Sequence, residues 1–232
     1  MRIEEISEEL QPADVNRILM RADQSIESVM DKVNSLIEEV FEHGEKAIRR
    51  QVEEFDGVKT PALRVSAEQL NDSLEEIDDQ LLEAMKEAIA RLRLSSADAM
   101  PESVSTAFGE SSKVIQRYSP VDSVAVYAPG GKAVYPSSVI MNVVPAQVAG
   151  VSRIGLFSPA QADGLPAKQV LAAAKLLGIS EVYSIGGVGA VAAAAFGLES
   201  LQMQPFRMFT GPGNIFLAAA KRPRGFFGVA LA

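Results

Sequence analysis

The feature that most constrains this 232-residue chain is an alternation, after Pro120, of short apolar runs with Ala-rich stretches. The apolar runs begin about 25 to 30 residues apart, which is the length of one strand–helix unit with its loop. Strands are expected at 124–127, 154–157, 182–185 and 207–209, and helices at 137–148, 167–177, 190–196 and 214–221. The pattern predicts an α/β fold with a parallel, doubly wound sheet. Pro145 should kink its helix or mark the last turn.

The two halves of the chain differ in charge. Residues 1–110 hold 26 Asp and Glu against 12 Lys and Arg, whereas residues 111–232 hold 4 against 10. The net charge of −8 argues against nucleic acid as a partner. The mildly positive, glycine-rich second half suits a phosphate-bearing small molecule.

The acidic half has the 3.6-residue apolar period of amphipathic helices. One helix should run from Ile26 to about Asp56, and a second should open at Ser66, which has capping-box spacing to Gln69. Their predicted inner faces are apolar, with Val29, Met30, Val33, Ile37, Val40 and Phe41 in the first and Leu74, Ile77, Leu81, Met85, Ile89 and Leu92 in the second. We therefore expect an N-terminal helical region, residues 1–120, ahead of the sheet domain, residues 121–222.

Composition excludes several kinds of chemistry. The chain has no Cys and a single His, His43, so it forms no disulfide, thiolate metal site or cysteine nucleophile. His43 lies in a polar run and is expected to be a solvated surface residue. No apolar stretch reaches the ~20 residues of a membrane-spanning helix, and the acidic start MRIEEISEEL is unlike a signal peptide. A cytoplasmic location without membrane contact is therefore expected.

Three of the four predicted strands end in glycine loops, at 128–132 (APGGK), 185–189 (IGGVG) and 210–214 (TGPGN). Strand ends of an open parallel sheet meet at one edge, and each loop precedes a helix whose first N–H groups are free to bind an anion. The loops therefore predict a ligand site. The alternative is that the glycines serve only tight strand-to-helix turns.

The second of these loops contains a variant of the dinucleotide fingerprint, GxGxxA, from Gly187 to Ala192. The acidic residue expected ~20 positions later, which would bind a ribose hydroxyl, is missing, because that region reads Gln204 to Met208. The fingerprint alone therefore does not identify a standard dinucleotide site.

A longer set of motifs resembles the histidinol dehydrogenases. It comprises YAPGGKAVYPSSVIMN at 127–142, PAQVAG at 145–150, GG at 186–187, GPGN at 211–214 and AKR at 220–222. The segment from His43 to Gly57, with HGE and FDG, is also similar to the N-terminal region of that family. The resemblance covers most of the chain.

The resemblance implies an NAD-dependent, zinc-dependent oxidoreductase of histidine biosynthesis. Such an enzyme oxidises histidinol through the aldehyde to histidine and forms a homodimer with two incomplete Rossmann-like domains. Residues 1–120 would then be part of an incomplete first α/β domain, and residues 121–222 would form the Rossmann-like, NAD-binding domain. Residues 223–232 would be an apolar tail, a truncated return to the first domain.

Three cofactor-binding positions follow from the resemblance: Tyr127, Gly189 and Asn214. Tyr127 precedes PGG and Asn214 closes GPGN, and both match family residues that contact NAD. Gly189 stands where similar enzymes carry a glutamine that touches NAD. We expect the missing side chain to leave a gap filled by water, unless Gly189 is there to adopt a positive φ.

The resemblance also implies what the chain lacks. The family continues beyond the GPGN helix to an AGPSE stretch, a Glu–His acid/base pair and the Gln, His and Asp residues that hold zinc. None of these is present, so no catalytic or zinc-binding residue is predicted here and the chain alone is expected to be inactive. Two alternatives stay open: a relative acting on another alcohol, and a truncated, catalytically inactive nucleotide-binding or assembly module.

Overall fold

A computed structural model describes residues 21–59, 62–130, 133–222 and 230–231. The N-terminal half of this part is helical, with α1 (Arg21–His43), α2 (Glu45–Asp56), α3 (Ala67–Glu75) and α4 (Asp79–Asp98). The predicted first helix is interrupted at Gly44, where φ is 52°, and Gly57 ends α2 at a φ of 74°. Because L side chains rarely adopt a positive φ, both breaks fall on glycine.

The predicted second helix is also divided in two. Its start is confirmed, because Ser66 and Gln69 form a reciprocal capping box at the beginning of α3. The apolar stripe continues beyond α3, but Asp78 starts a new helix by accepting the backbone N–H groups of Gln80 and Leu81. The same 3.6-residue apolar period continues through both helices, so it did not indicate the helix cap at Asp78 between them.

A β-hairpin follows α4, inside the region that the sequence predicted as helical. Its strands β1 (Val104–Ala107) and β2 (Lys113–Gln116) pair antiparallel, with Val104 opposite Gln116. Every residue of both strands is exposed.

Five parallel strands form the central sheet: β3 (Ser123–Tyr127), β4 (Arg153–Phe157), β5 (Glu181–Tyr183), β6 (Met208–Thr210) and β7 (Ala230–Leu231). The helices of this half are α5 (Pro136–Val148), α6 (Lys168–Leu176), α7 (Gly187–Phe196) and α8 (Ile215–Ala220). The predicted fold class, a parallel Rossmann-like sheet preceded by a helical region, is confirmed. Pro145 lies in the last turn of α5.

Only two residues of the predicted tail, 223–232, lie within the described part of the chain. These residues are β7, which extends the sheet beside β6. That the tail returns to a first domain stays a prediction.

Strand side chains alternate between two apolar layers, as the two-residue period of a strand requires. One layer joins the sheet to α1, α2, α7 and α8, and the other joins it to α3, α4, α5 and α6. The N-terminal helices therefore bury their apolar stripes against the sheet domain of the same chain. Phe41 was predicted on the buried face but is 68% exposed, and its ring lies 5.2 Å from that of Phe196, which packs against the layer.

The strand order β5-β4-β3-β6-β7 contains a topological switch point. The chain progresses outward from β3 to β5 and then crosses back to β6 on the other side of β3. Loops after β3 and β6 therefore diverge, and in open α/β sheets the crevice between such loops is where ligands bind.

Candidate functional site

A cavity of about 620 Å³ lies at the carboxyl edge of the sheet, beside the switch point. Loops after β3, β4, β5 and β6 form one wall, and α1 and α2 form the other. The loop wall consists of Tyr127, Gly130, Pro159, Ala160, Gln161, Ala162, Gly186, Gly187, Val188, Asn214 and Phe216, and the helix wall consists of Lys32, Leu36, Gln51, Val52, Phe55 and Asp56. All three glycine loops contribute to this cavity, although Gly131 and Lys132 of the first lie outside the described residues.

Tyr127 is the last residue of β3 and is 5% exposed. Its hydroxyl accepts a hydrogen bond of 3.2 Å from the backbone N–H of Gly187, the first residue of α7. Burial raises the pKa of the Tyr127 phenol, and the nearby Asp56 carboxylate adds to this effect. The neutral hydroxyl keeps a proton that it can donate to a ligand.

Asn214 occupies the start of α8. Its Oδ1 accepts the backbone N–H of Leu217 at 3.1 Å and caps the helix, which leaves the Nδ2 group to donate to a ligand. The preceding loop is held by Lys221, whose Nζ donates to the carbonyl of Gly211 at 2.6 Å. The structure thus brings Tyr127 and Asn214, two of the three predicted positions, to one cavity.

Glycines allow the strand-end loops to approach one another closely. Gly211 has a φ of 130°, and a Cβ there would lie 2.3 Å from the backbone oxygen of Tyr127. At Gly186, a Cβ would lie 3.0 Å from Cβ and Cγ of Pro159. Packing therefore favours glycine at both positions, and at Gly211 the positive φ does so as well. That the loops form a ligand site stays a prediction.

Gly189, the third predicted position, is not among the residues that line the cavity. It lies in the first turn of α7, and a Cβ there would be 3.0 Å from Oε1 of Gln51 and 3.2 Å from Cδ1 of Ile48. The expectation of a water-filled gap is therefore wrong, because side chains of α2 occupy the space. The alternative is also wrong, since Gly189 is not among the glycines with positive φ.

Gln51 is a site residue that sequence reasoning missed. It is 4% exposed, and its Nε2 donates to the carbonyl of Leu36 at 3.0 Å. Its Oε1 is buried without a hydrogen-bond partner among the described residues. The available signal was a glutamine beside Ile48 and Val52 on the buried face of an amphipathic helix.

Asp56 was also missed. It is the last residue of α2, and the nearby backbone N–H of Ala160, in the loop after β4, favours the charged form of its carboxylate. Burial raises the pKa of Asp56 to about 6, which means that its charged form is poorly solvated in the free protein. Carboxyl groups that lie in clefts and have a raised pKa are frequent at functional sites.

Lys32 supplies the positive charge of the helix wall. Its Nζ lies 5.2 Å from the ring centroid of Phe55 and 6.0 Å from that of Phe216. The cavity therefore combines a cation over aromatic rings, one carboxylate and the N-terminus of α7, where free backbone N–H groups favour an anion.

Within 21–59, 62–130, 133–222 and 230–231, no three His, Cys, Asp or Glu side chains are grouped so that they could hold a metal ion. His43 is exposed, with Nε2 3.8 Å from a carboxylate oxygen of Glu42. The residues described here therefore do not fit a zinc site.

No helix among the described residues is long and apolar enough to cross a membrane.

Fold and cavity together define a doubly wound α/β protein with a ligand-sized crevice at its switch point. The family model for histidinol dehydrogenase matches residues 19–229, and the chain belongs to that family.

Relatives and a solved structure agree with this assignment. The chain is 43% identical over 225 residues to the histidinol dehydrogenase of Corynebacterium diphtheriae, covering 94% of this chain and 50% of the relative. It is 47% identical over 207 residues to that of Streptomyces avermitilis, covering 88% and 46%. The crystal structure of histidinol dehydrogenase from Elizabethkingia anophelis superposes with a TM-score of 0.82 at 27% identity, covering 92% and 50%. The chain thus spans about half the length of these relatives.

Proposed function

We propose that this chain supplies the NAD-binding part of a histidinol dehydrogenase, a cytoplasmic, homodimeric enzyme that oxidises L-histidinol through the aldehyde to L-histidine. The observation that carries the proposal is the cavity at the switch point. It brings Tyr127, Asn214 and the N-terminus of α7 together from three separate strand ends. Family membership supplies the reaction.

Each group in the loop wall has a defined task in this proposal. The backbone N–H groups that follow Gly187 in the first turn of α7 bind the pyrophosphate of the dinucleotide, and Asn214 donates through Nδ2 to a ligand oxygen. Tyr127 contributes its ring surface and its hydroxyl proton. Gly189 acts indirectly, because its missing side chain admits Gln51 to the cavity wall.

The family's acid/base and zinc-binding roles are not assigned to residues of this chain. Its one histidine is exposed on the surface, and the described residues contain no cluster that fits zinc. We therefore expect the 232-residue protein to form no NADH from histidinol, with or without added zinc. Turnover that depends on zinc in a homogeneous preparation would overturn this part of the proposal.

Fluorescence titration of NADH into the chain tests cofactor binding directly. The protein has no Trp, so cofactor fluorescence is observed without a tryptophan background. Asn214→Asp keeps the capping oxygen but removes the Nδ2 donor, and it should weaken NADH binding roughly tenfold or more. Asn71→Asp makes the same change at an exposed position of α3, which packs in the opposite layer, and should have no effect. A parent that binds no NADH, or equal affinity in both variants, would contradict the proposed site.

The alternative of a non-catalytic assembly module is favoured by one observation. The β1–β2 hairpin exposes apolar side chains, with Phe108 62%, Val114 61% and Ile115 47% accessible. Large exposed apolar patches mark interaction surfaces. Self-association that is abolished by Val114→Lys, in a protein that binds no NADH, would favour this function over the first.

A further inference from the structure

The cavity contains a single carboxylate among the residues described, that of Asp56. A standard dinucleotide site places an acidic residue at the end of the strand after the fingerprint helix, where it binds the ribose hydroxyls of the adenosine half. Here the strand after α7 is β6, which lies on the far side of β3 and has no acidic residue within it or in the six residues before it. A carboxylate that binds that ribose would therefore have to come from another part of the fold.

Asp56 is positioned to replace it. Gly57, in the left-handed conformation, ends α2 directly after Asp56 and leaves Asp56 in the cavity lining beside Ala160 of the loop after β4. The Ala160 N–H favours the charged carboxylate, and one such neighbour leaves most of the acceptor capacity of a carboxylate unused.

The surroundings of Asp56 oppose its charge in the free protein. It lies at the C-terminus of a helix, the negative end of the helix dipole, and it is partly withdrawn from water. Hydroxyl donors from a ligand would relieve both penalties. A phosphate at the same place would add charge of the same sign.

We propose that Asp56 accepts hydrogen bonds from the 2′- and 3′-hydroxyls of the adenosine ribose and excludes a dinucleotide with a 2′-phosphate. This inference rests on the proposed function, since it assumes that the cavity binds a dinucleotide. It assigns the choice between NAD and NADP to the helical region instead of the sheet. Lys32, on the same wall, is the group that would favour the 2′-phosphate if the ribose lay beside it instead.

Parallel titrations with NADH and NADPH test the assignment on the full chain. The parent should bind NADH at least tenfold more tightly than NADPH. Asp56→Asn, which keeps the size of the side chain, should weaken NADH binding and tighten NADPH binding, so that the ratio of affinities approaches one. Glu53→Gln removes an exposed carboxylate from the same helix and should leave the ratio unchanged.

A second measurement needs no substitution. Adenosine 5′-monophosphate should displace NADH from the parent at a lower concentration than adenosine 2′,5′-bisphosphate. Equal displacement, or an NADH-to-NADPH ratio that Asp56→Asn leaves intact, would overturn the role of Asp56. If Asn214→Asp still weakens NADH in that case, the cavity keeps its proposed function, whereas a parent that binds neither cofactor removes both proposals.

Discussion

The loop wall of the cavity and its helix wall offer a ligand different chemistry. The loop wall consists largely of backbone and small residues, with free N–H groups at the start of α7 and glycines that permit close approach. The helix wall presents polar side chains, namely Lys32, Gln51 and Asp56. Backbone donors bind any phosphate, whereas side-chain charges and amides distinguish one ligand from another. Changes in the loop wall should therefore act mainly on stability, and changes in the helix wall mainly on selectivity.

The largest effect is expected from Gly211→Ala in the loop wall. The added Cβ would meet the Tyr127 carbonyl oxygen at 2.3 Å, and Ala would have to adopt a φ of 130°. We expect a loss of about 3 kcal/mol in the free energy of unfolding, measured by chemical denaturation. Gly178→Ala is the control, because its φ is 71° but no atom lies within 4 Å of the new Cβ. Equal losses in the two variants would show that the close approach to Tyr127 is unimportant.

Helices α2 and α7 are in contact at Gly189, and Gly189→Gln should have the next largest effect. The new side chain would compete with Gln51 and Ile48 for the same space, which should cost about 2 kcal/mol of stability without a gain in NADH affinity. Adding Gln51→Ala should restore much of the thermal midpoint, since it vacates that space. A Gly189→Gln protein that binds NADH more tightly at an unchanged midpoint would contradict this steric account.

In the helix wall, Asp56→Asn should raise stability while reducing selectivity. The pKa of Asp56 rises from its ordinary 3.8 to about 6 on folding, so the ionised form destabilises the native state above that pH. Partial exposure screens this penalty, and we expect a gain of about 1 kcal/mol near neutral pH. The gain should shrink as the pH falls from about 6 to about 4, where the parent carboxyl is protonated in both states. Thermal unfolding across this pH range gives the measurement, and a constant difference would contradict it.

The sequence predicted the residues of the loop wall better than those of the helix wall. The four predicted strands and the helices after them appear in the structure close to their expected positions, because apolar runs, glycines and the 3.6-residue period each leave a local signal. Tyr127 and Asn214 were found through motifs in those loops. Asp56 carries no local signal and Gln51 only a weak one, its place on the apolar face of α2. An acid before a glycine and a glutamine in a helix become site candidates only when tertiary packing places them beside the loops.

The β1–β2 hairpin and the surroundings of Gly189 could not be predicted from local sequence patterns either. The strands Val104–Ala107 and Lys113–Gln116 are exposed on all their residues, so no two-residue burial pattern marked them. For Gly189, comparison with the family identified a missing side chain, but only the fold shows that Gln51 from a distant helix fills its place.

Substitutions of Asn214 should have the smallest effect on stability. Its side chain caps α8 through Oδ1 and is proposed to bind the ligand through Nδ2. Asn214→Ala removes the oxygen that caps α8 and should cost about 1 kcal/mol of stability, whereas Asn214→Asp keeps a capping oxygen and should cost less than about 0.5 kcal/mol. Both variants lack the Nδ2 donor, so both should weaken NADH binding. Asn71→Ala, in the exposed interior of α3, should be neutral or slightly stabilising because Ala is the better helix former. If NADH affinity instead follows stability across the two Asn214 variants, so that Asn214→Asp binds as the parent does, then Asn214 acts only through the helix cap.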